Sequence, residues 1–185
     1  MSKDNAYTML EESILHENPY WTYVKDEYVL SDGKSISSYF HVRSHGSTLV
    51  IPMVDDHTMI MVKQFRYLNQ RMSLEFPGGG IAFGLSPLEN AHKELTEETG
   101  FIAKDMQCIG TFNPCNGMTN ELCSVYIAKG LVLSSQDMDP TEDIELINIS
   151  IQECQQLINN GEVWDGMTLA CWTLFQTVHS KDISR

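Results

Sequence analysis

The sequence is poor in positive charge, and it contains no apolar run long enough to cross a membrane. Twelve Lys and Arg residues stand against 25 Asp and Glu residues, so the formal net charge is −13. Sequence-independent binding of nucleic acid requires a basic surface, and no nucleic-acid partner is therefore expected. The first residues also lack a basic start followed by an apolar stretch, so no secretory signal is visible. A cytoplasmic location without a membrane partner is expected.

Cysteines and histidines are present in patterns that exclude two further classes of site. The five cysteines are an odd number and none forms C-x-x-C, which argues against a disulfide framework and a structural zinc site. Most of them are expected to be small buried residues, and Cys115, in a predicted loop, is the one to test for reactivity. The six histidines show no ligand spacing such as HxxxH.

The chain is long enough for one globular domain with an appendage, and its pattern predicts several strands around an embedded helix. Asp32-Gly33 between aromatic-rich runs predicts a hairpin over residues 20–43. A second hairpin is predicted from residues 48–54 and 58–65, and its Met-rich strand is expected in the core. Further strands are predicted at 105–112, 122–128 and 144–149, with a loop at 134–143, a helix from 150 to about 159 and a last helix capped by Asp165.

The embedded helix has clear start and stop signals. Ser86 and Glu89 form a capping box around a proline at the first helical position. Gly100 stands where a left-handed residue ends a helix. Leu88, Ala91 and Leu95 recur at i, i+3 and i+7 and predict its core face.

Three carboxylates share another face of this helix. Glu94, Glu97 and Glu98 lie at i, i+3 and i+4, so they fall within an arc of about 100°. Hard oxygen ligands suit Mg²⁺, which is usually held by carboxylates together with substrate phosphates. The glycines 78–80 would let the backbone approach a phosphate or offer a carbonyl to a metal. From these residues alone, an ordinary solvated acidic face remains the alternative.

The segment from Gly79 to Phe101 resembles the Nudix box, the signature of the Nudix hydrolases, written G-x5-E-x7-R-E-U-x-E-E-x-G-U with U a bulky apolar residue. Two positions depart from it: Leu85 replaces the first glutamate, and Lys93 replaces the arginine. Both are mainly supporting positions in the family. The positions matching in register are Gly79, Glu94, Leu95, Glu97, Glu98, Gly100 and Phe101.

Flanking motifs are similar to those of the ADP-ribose pyrophosphatase branch of the family. They are Gln64-Phe65-Arg66-Tyr67, Glu75-Phe76-Pro77-Gly78-Gly79, Asn113-Pro114-Cys115-Asn116-Gly117 and Thr141-Glu142-Asp143-Ile144-Glu145. In the third motif, Cys115 and Asn116 replace the Ser and Pro of the branch. The resemblance extends over roughly residues 20 to 180.

The resemblance implies a role for each site residue. It implies metal binding by Glu94, Glu97, Glu98 and the Gly78 carbonyl, with Glu97 and Glu98 also catalytic. It implies a further catalytic glutamate in the late loop, with Glu142 the first choice and Asp139 and Glu145 as competitors. It implies substrate binding by Arg66, Glu75, Asn116 and Gly117.

Each flanking residue also has a plain alternative. Arg66 could simply pair with a surface carboxylate, and Glu75 could be a surface residue at a strand end. Glu142 could belong to a solvated loop. Asn116 and Gly117 could only make a turn.

The implied fold is the Nudix fold, an α/β class with a mixed β-sheet in an α/β/α sandwich and an N-terminal antiparallel β extension. The expected division is a hairpin extension at residues 1–46 and a Nudix domain at 47–185, with the extension helping to build a homodimer. The implied reaction is Mg²⁺-dependent hydrolysis of ADP-ribose to AMP and ribose 5-phosphate, with Mn²⁺ as a possible substitute.

Two alternatives stay open for the function. The replaced Ser-Pro in the substrate loop favours a nucleotide-sugar pyrophosphatase acting on ADP-glucose or GDP-mannose. Leu85 and Lys93 favour a catalytically silent module that senses such nucleotides.

Overall fold

The computed structural model describes residues 7–134 and 144–183, and these residues form two compact units. The first unit contains residues 7–45 and 115–121. The second unit contains the remaining described residues, from 46 to 114 and from 122 onward. None of the described helices combines the length and the apolar character that crossing a bilayer requires.

The first unit is built on an antiparallel sheet of three strands in the order β1-β2-β3. Its strands are β1 (Thr8–Glu17), β2 (Thr22–Val29) and β3 (Ile36–Arg43). The predicted hairpin is confirmed as β2 and β3, with Gly33 at φ 70° in the turn. β1 was not predicted, because its apolar residues come in adjacent pairs rather than in the alternation typical of a strand.

Hydrogen bonds hold the segment 115–121 beside β3 and the residue that follows it. The Val42 amide donates to the Met118 carbonyl at 2.8 Å, and the Tyr39 hydroxyl donates to the Gly117 carbonyl at 2.6 Å. The Ser44 amide donates to the side-chain oxygen of Asn120 at 3.0 Å.

The described part of the second unit contains two sheets, three α-helices and a short 3-10 helix (Tyr67–Asn69). One sheet has the order β7-β4-β9-β8, with β4 and β9 parallel, and the other has the order β10-β5-β6 with antiparallel pairs. The strands are β4 (Ser47–Pro52), β5 (Thr58–Arg66), β6 (Arg71–Glu75), β7 (Gly78–Gly80), β8 (Phe101–Phe112), β9 (Cys123–Leu133) and β10 (Glu145–Ser150), and the helices are α1 (Pro87–Thr99), α2 (Ile151–Asn159) and α3 (Gly166–Ile183).

The predicted second hairpin is wrong, although both of its strands exist. β4 pairs with β7 and β9, whereas β5 pairs with β10 and β6. At their adjacent ends, a bridge joins Met53 and Met59, and the Val54 amide donates to the Thr58 carbonyl at 2.9 Å. Every residue of β4 is buried, as expected for a strand covered on both faces with partners distant in sequence.

Two apolar clusters lie on opposite faces of the four-stranded sheet and give the unit its layers. α1 contributes Ala91 and Leu95 to a cluster with Val50 and Tyr126. The larger cluster lies on the other side, and the expected burial of the Met-rich strand is confirmed there. Its members include Ile51, Met59, Met61, Phe76, Ile127, Trp172 and Phe175. The predicted mixed α/β class is confirmed.

The embedded helix α1 has the predicted caps. The Ser86 hydroxyl accepts a bond from the Glu89 amide, and the Glu89 carboxylate accepts one from the Ser86 amide. Gly100 takes the left-handed conformation at φ 72°. The expected burial of Leu88 is wrong, since its side chain is 44% exposed. Burial begins only at Asn90, so the first turn of α1 remains outside the core.

Candidate active site

A polar pocket lies where the second half of α1 packs against the glycine strand β7, beside the end of β5. It brings together five residues that the sequence predicts for the site, which are separated by up to 32 positions along the chain. Its lining residues are Gln64, Arg66, Gly78, Gly79, Gly80, Lys93, Glu94, Glu97 and Glu98.

Two of the three glutamates are buried. Glu94 is 8% exposed and Glu98 is 6% exposed, whereas the side chain of Glu97 is 44% exposed. The Gly78 amide donates to Oε2 of Glu98 at 3.0 Å and ties the glycine strand to the helix. An ordinary solvated acidic face does not bury two of its carboxylates, so that alternative is wrong for Glu94 and Glu98.

The glycines of β7 allow a close approach that side chains would prevent. A Cβ atom at Gly78 would lie 2.1 Å from the Thr48 carbonyl oxygen. A Cβ atom at Gly79 would lie 2.9 Å from Oε2 of Glu94. The backbone therefore runs directly over the acidic face of α1, as the glycine run predicts.

Lys93 forms ion pairs with two of the three glutamates. Its ammonium lies 2.6 Å from Oε2 of Glu97 and 3.1 Å from Oε1 of Glu94. Partial burial lowers the pKa of Lys93, but the contacts with Glu97 and Glu94 outweigh it, and the pKa lies above its ordinary value. Lys93 therefore remains charged at neutral pH and bridges two predicted metal ligands.

The donor set of the pocket, three carboxylates and a backbone carbonyl, fits a divalent cation. Among the described residues, no three His, Cys, Asp or Glu side chains are placed to hold one ion as they stand. The Lys93 ammonium between Glu94 and Glu97 already occupies a cation position in the pocket. Carboxylate oxygens are the ligands that Mg²⁺ prefers, so the site suits the metal once Lys93 moves aside.

Arg66 and Glu75 form a two-point ion pair at the edge of the pocket. Nε of Arg66 donates to Oε1 of Glu75 at 2.8 Å, and Nη2 donates to Oε2. Glu75 is only 5% exposed, so its interpretation as a surface residue is wrong, and Arg66 pairs with a buried carboxylate. The hydrogen bonds that Arg66 donates to Glu75 raise the pKa of Arg66 against the opposing effect of burial. Arg66 is fixed while about half of its side chain remains exposed.

Asn90, which the sequence did not single out, holds α1 in place beside the pocket. Its buried side chain donates to the Thr48 hydroxyl at 2.9 Å and accepts from the Ala82 amide at 3.1 Å. These bonds connect α1 to β4 and to the connection that leads into the helix. The only sequence signal was a polar residue beside Ala91 on the core face of the helix, a position usually taken by an apolar residue.

The remaining predicted residues lie elsewhere or outside the described ranges. Asn116 and Gly117 belong to the first unit. Glu142 and its competitor Asp139 lie outside the described residues. The third candidate, Glu145, begins β10 with its side chain 61% exposed, 3.3 Å from the Lys63 ammonium.

Comparison with known proteins assigns the family. The NUDIX domain model matches residues 43–167, which include the whole pocket. An ADP-ribose pyrophosphatase of Bacillus subtilis is 32% identical over 85% of this chain and 88% of its own length. A methanol dehydrogenase activator of Bacillus methanolicus is 30% identical over 78% of both chains. A GDP-mannose pyrophosphatase of Escherichia coli is 26% identical over 95% of this chain and 97% of its own.

A solved structure described as an ADP compounds hydrolase matches the fold. It superposes with a TM-score of 0.85 over 98% of both chains at 20% sequence identity. The fold class predicted from the box is thereby confirmed. Together with the family model and the relatives, it shows that this chain belongs to the Nudix family and is a Nudix hydrolase.

Proposed function

We propose that this enzyme hydrolyses, with Mg²⁺, the pyrophosphate bond of a nucleoside diphosphate linked to another group. ADP-ribose is the first expected substrate, and the products are AMP and ribose 5-phosphate. The observation that carries the proposal is the pocket in which three box glutamates, the Gly78 backbone and Arg66 converge. The ADP-ribose pyrophosphatase relative at 32% identity supports the substrate.

The metal ligands in this proposal are Glu94, Glu97, Glu98 and the carbonyl of Gly78. Nudix pyrophosphatases generally use a divalent metal, and Mn²⁺ is expected to replace Mg²⁺. A bound cation would neutralise charge on the diphosphate and lower the pKa of a bound water. The hydrogen bond from the Gly78 amide holds Glu98 beside the backbone carbonyl proposed to act with it.

Arg66 is proposed to bind the substrate phosphates. Its planar guanidinium suits phosphate oxygens, and its exposed half lines the pocket while Glu75 holds the other half. Glu75 thus contributes to substrate binding by orienting Arg66. Asn116 and Gly117 are also proposed to bind the substrate.

The reaction balances as the addition of one water molecule. The water oxygen bonds to a phosphorus atom of the diphosphate, and the bond from that phosphorus to the bridging oxygen breaks. The released phosphate group keeps the electron pair. Glu97 and Glu98 are proposed to act in this step, and Glu142 is proposed to accept the proton of the water.

A nucleotide-sugar substrate is the second candidate. The GDP-mannose pyrophosphatase relative aligns with this chain over 97% of its own length. The Cys115 and Asn116 replacements in the predicted substrate loop point in the same direction. The reaction would be the same, and the leaving product would be a sugar phosphate.

The expected assembly is a homodimer in the cytoplasm, with residues 1–46 as an extension of the domain at 47–185. Exposed apolar side chains of the three-stranded sheet support an interface there, among them Met9, Leu10, Ile14, Leu15 and Phe40.

The decisive experiment is chromatographic detection of products from ADP-ribose, ADP-glucose, GDP-mannose and NADH. Each is incubated with the enzyme and Mg²⁺, Mn²⁺ or EDTA. Metal-dependent release of AMP from ADP-ribose supports the leading proposal, and release of GMP from GDP-mannose supports the second candidate. Cleavage that persists undiminished in EDTA would contradict the proposed metal requirement.

Two glutamine variants test the same pocket. Glu97→Gln and Glu98→Gln each remove one negative charge while keeping the side-chain shape, so turnover is expected to fall by about 10²-fold or more. Glu162→Gln, an exposed acid outside the pocket, is the matched control. Near-normal turnover in both pocket variants, with normal circular dichroism, would contradict the roles of these glutamates.

A further inference from the structure

The pocket contains a lysine, Lys93, whose position among the acids the hydrolysis reaction does not explain. A site meant for a divalent cation already contains a monovalent one, the Lys93 ammonium, bonded to Glu97 and Glu94. It lies within hydrogen-bond distance of both, at 2.6 and 3.1 Å. Bonds between charged groups at these distances are stronger than neutral ones, so the ammonium competes directly for two of the proposed ligands.

The sequence explains why Lys93 turns toward these acids. Leu85, where the box has a glutamate, offers no carboxylate to a neighbouring cation. Glu97 is four residues after Lys93, the spacing at which side chains meet on a helix surface. The flexible four-carbon stem of lysine carries a compact charge that moves more easily than an arginine fork.

Without a cation at this place, the acidic face would repel itself. Glu94 is buried, and like charges four residues apart on a helix, such as Glu94 and Glu98, destabilise it. Lys93 relieves part of this repulsion in the metal-free protein. Its side chain is 37% exposed, which leaves it a path toward solvent when another cation arrives.

We propose that Lys93 is a built-in counter-ion that fills the metal site until a divalent cation displaces it, so that it positions Glu94 and Glu97 and sets the metal affinity. The inference rests on the proposed metal site. It makes Lys93 a positioning residue, because it acts through its ion pairs with the proposed ligands Glu94 and Glu97. Loss of its charge should therefore change metal binding even when no substrate is present.

The first test measures Mn²⁺ binding to the substrate-free protein from the paramagnetic resonance signal of the free ion. Lys93→Gln is expected to bind Mn²⁺ about tenfold more tightly, a change of about 1.4 kcal/mol. Lys93→Arg keeps the charge on a less easily displaced side chain, so it should bind Mn²⁺ no more tightly than the wild type. Lys63→Gln, which removes a cation from a pair outside the pocket, is the control.

A second test needs only the wild-type protein. Acetic anhydride labels free lysine amines, and peptide mass spectrometry reports the labelled fraction of each lysine. Saturating Mn²⁺ should increase the labelling of Lys93 several-fold, because displacement exposes its amine, and should leave Lys63 unchanged. Unchanged labelling of Lys93, together with equal affinities of wild type and Lys93→Gln, would overturn the inference.

The two proposals fail in different ways. If wild type and Lys93→Gln both bind no Mn²⁺, the metal site itself is wrong and the inference falls with it. If both bind with equal affinity, the metal site survives and only the counter-ion role of Lys93 is overturned. Tighter binding by Lys93→Gln supports both.

Discussion

At the scale of single residues, the site depends on how closely a backbone approaches a carboxylate. Gly79 has no side chain. A Cβ atom added at this position would lie 2.9 Å from Oε2 of Glu94. The atom in the way is the end of a flexible side chain, so a substitution moves the carboxylate rather than the backbone. Such a displacement should affect the chemistry more than the stability.

Gly79→Ala is therefore expected to lower turnover by about 10²-fold, the cost of misplacing a reacting group by about 1 Å. The free energy of unfolding in urea should fall by less than about 1 kcal/mol, because the Glu94 carboxylate can shift. Gly80→Ala is the matched variant, since a Cβ atom there meets nothing within 4 Å. Equal losses of turnover in the two variants would show that strand stiffness, and not Glu94, is responsible.

The residue scale also shows what the sequence could not predict about the site. Glu94, Glu97 and Glu98 were found because a helix places i, i+3 and i+4 on one face, which is local information. The burial of Glu75 and its ion pair with Arg66 depend on the pairing of β5 with β6, which turns both residues toward the same place. The Asn90 bond to Thr48 spans 42 positions and had no local signal.

At the scale of elements, α1 is the part on which the site depends most, because it carries all three glutamates. Its start is fixed by the reciprocal bonds of Ser86 and Glu89, and its end by Gly100 in the left-handed conformation. Both were predicted from short-range patterns. A change at the start of the helix therefore tests how strongly local caps support the site.

Ser86→Ala removes the acceptor of the Glu89 amide and one partner of the capping box. The expected cost is about 1 kcal/mol of folding free energy, which lowers the melting temperature by about 2–4 °C for a chain of this size. Scanning calorimetry measures it. Asparagine caps a helix about as well as serine, so the melting temperature of Ser86→Asn should lie within about 1 °C of that of the wild type. An equal fall in melting temperature in both variants would contradict the capping role of Ser86.

Elements whose partners are distant were predicted less well than α1. β4 and β5 are separated by a tight turn, yet they join different sheets, because β4 pairs with β9 more than 70 residues later. β1 was missed, since its adjacent apolar residues give neither a period of 2 nor one of 3.6. Strand pairing is decided by the whole core, and a turn signal reports only the nearest residues.

At the scale of the whole molecule, the net charge of −13 must be reconciled with an anionic substrate. Lys93 and Arg66 are the cationic side chains lining the pocket, and each is already paired with an acid. A divalent cation reverses the local sign of such a site. The same ion should stabilise the fold, because it binds the native arrangement and not the unfolded chain.

The stability of the whole fold can be measured through its cysteines, because unfolding is what exposes most of them. Cys123, Cys154 and Cys171 are buried, whereas Cys108 and Cys115 are exposed. Burial raises the pKa of Cys154 to about 12 and that of Cys171 well above its ordinary value. The thiolate is the reactive form, so these buried thiols are protonated as well as covered at pH 8.

Ellman's reagent at pH 8 should therefore titrate two thiols of the native protein quickly, Cys108 and Cys115, and all five after unfolding in guanidinium chloride. The three slow thiols should react at a rate that follows opening of the core, and saturating Mn²⁺ should slow them if the metal binds the native state. Cys108→Ser and Cys115→Ser should each remove one fast thiol. Rapid reaction of four or five thiols in the native protein would contradict the packing of the core around Cys154 and Cys171.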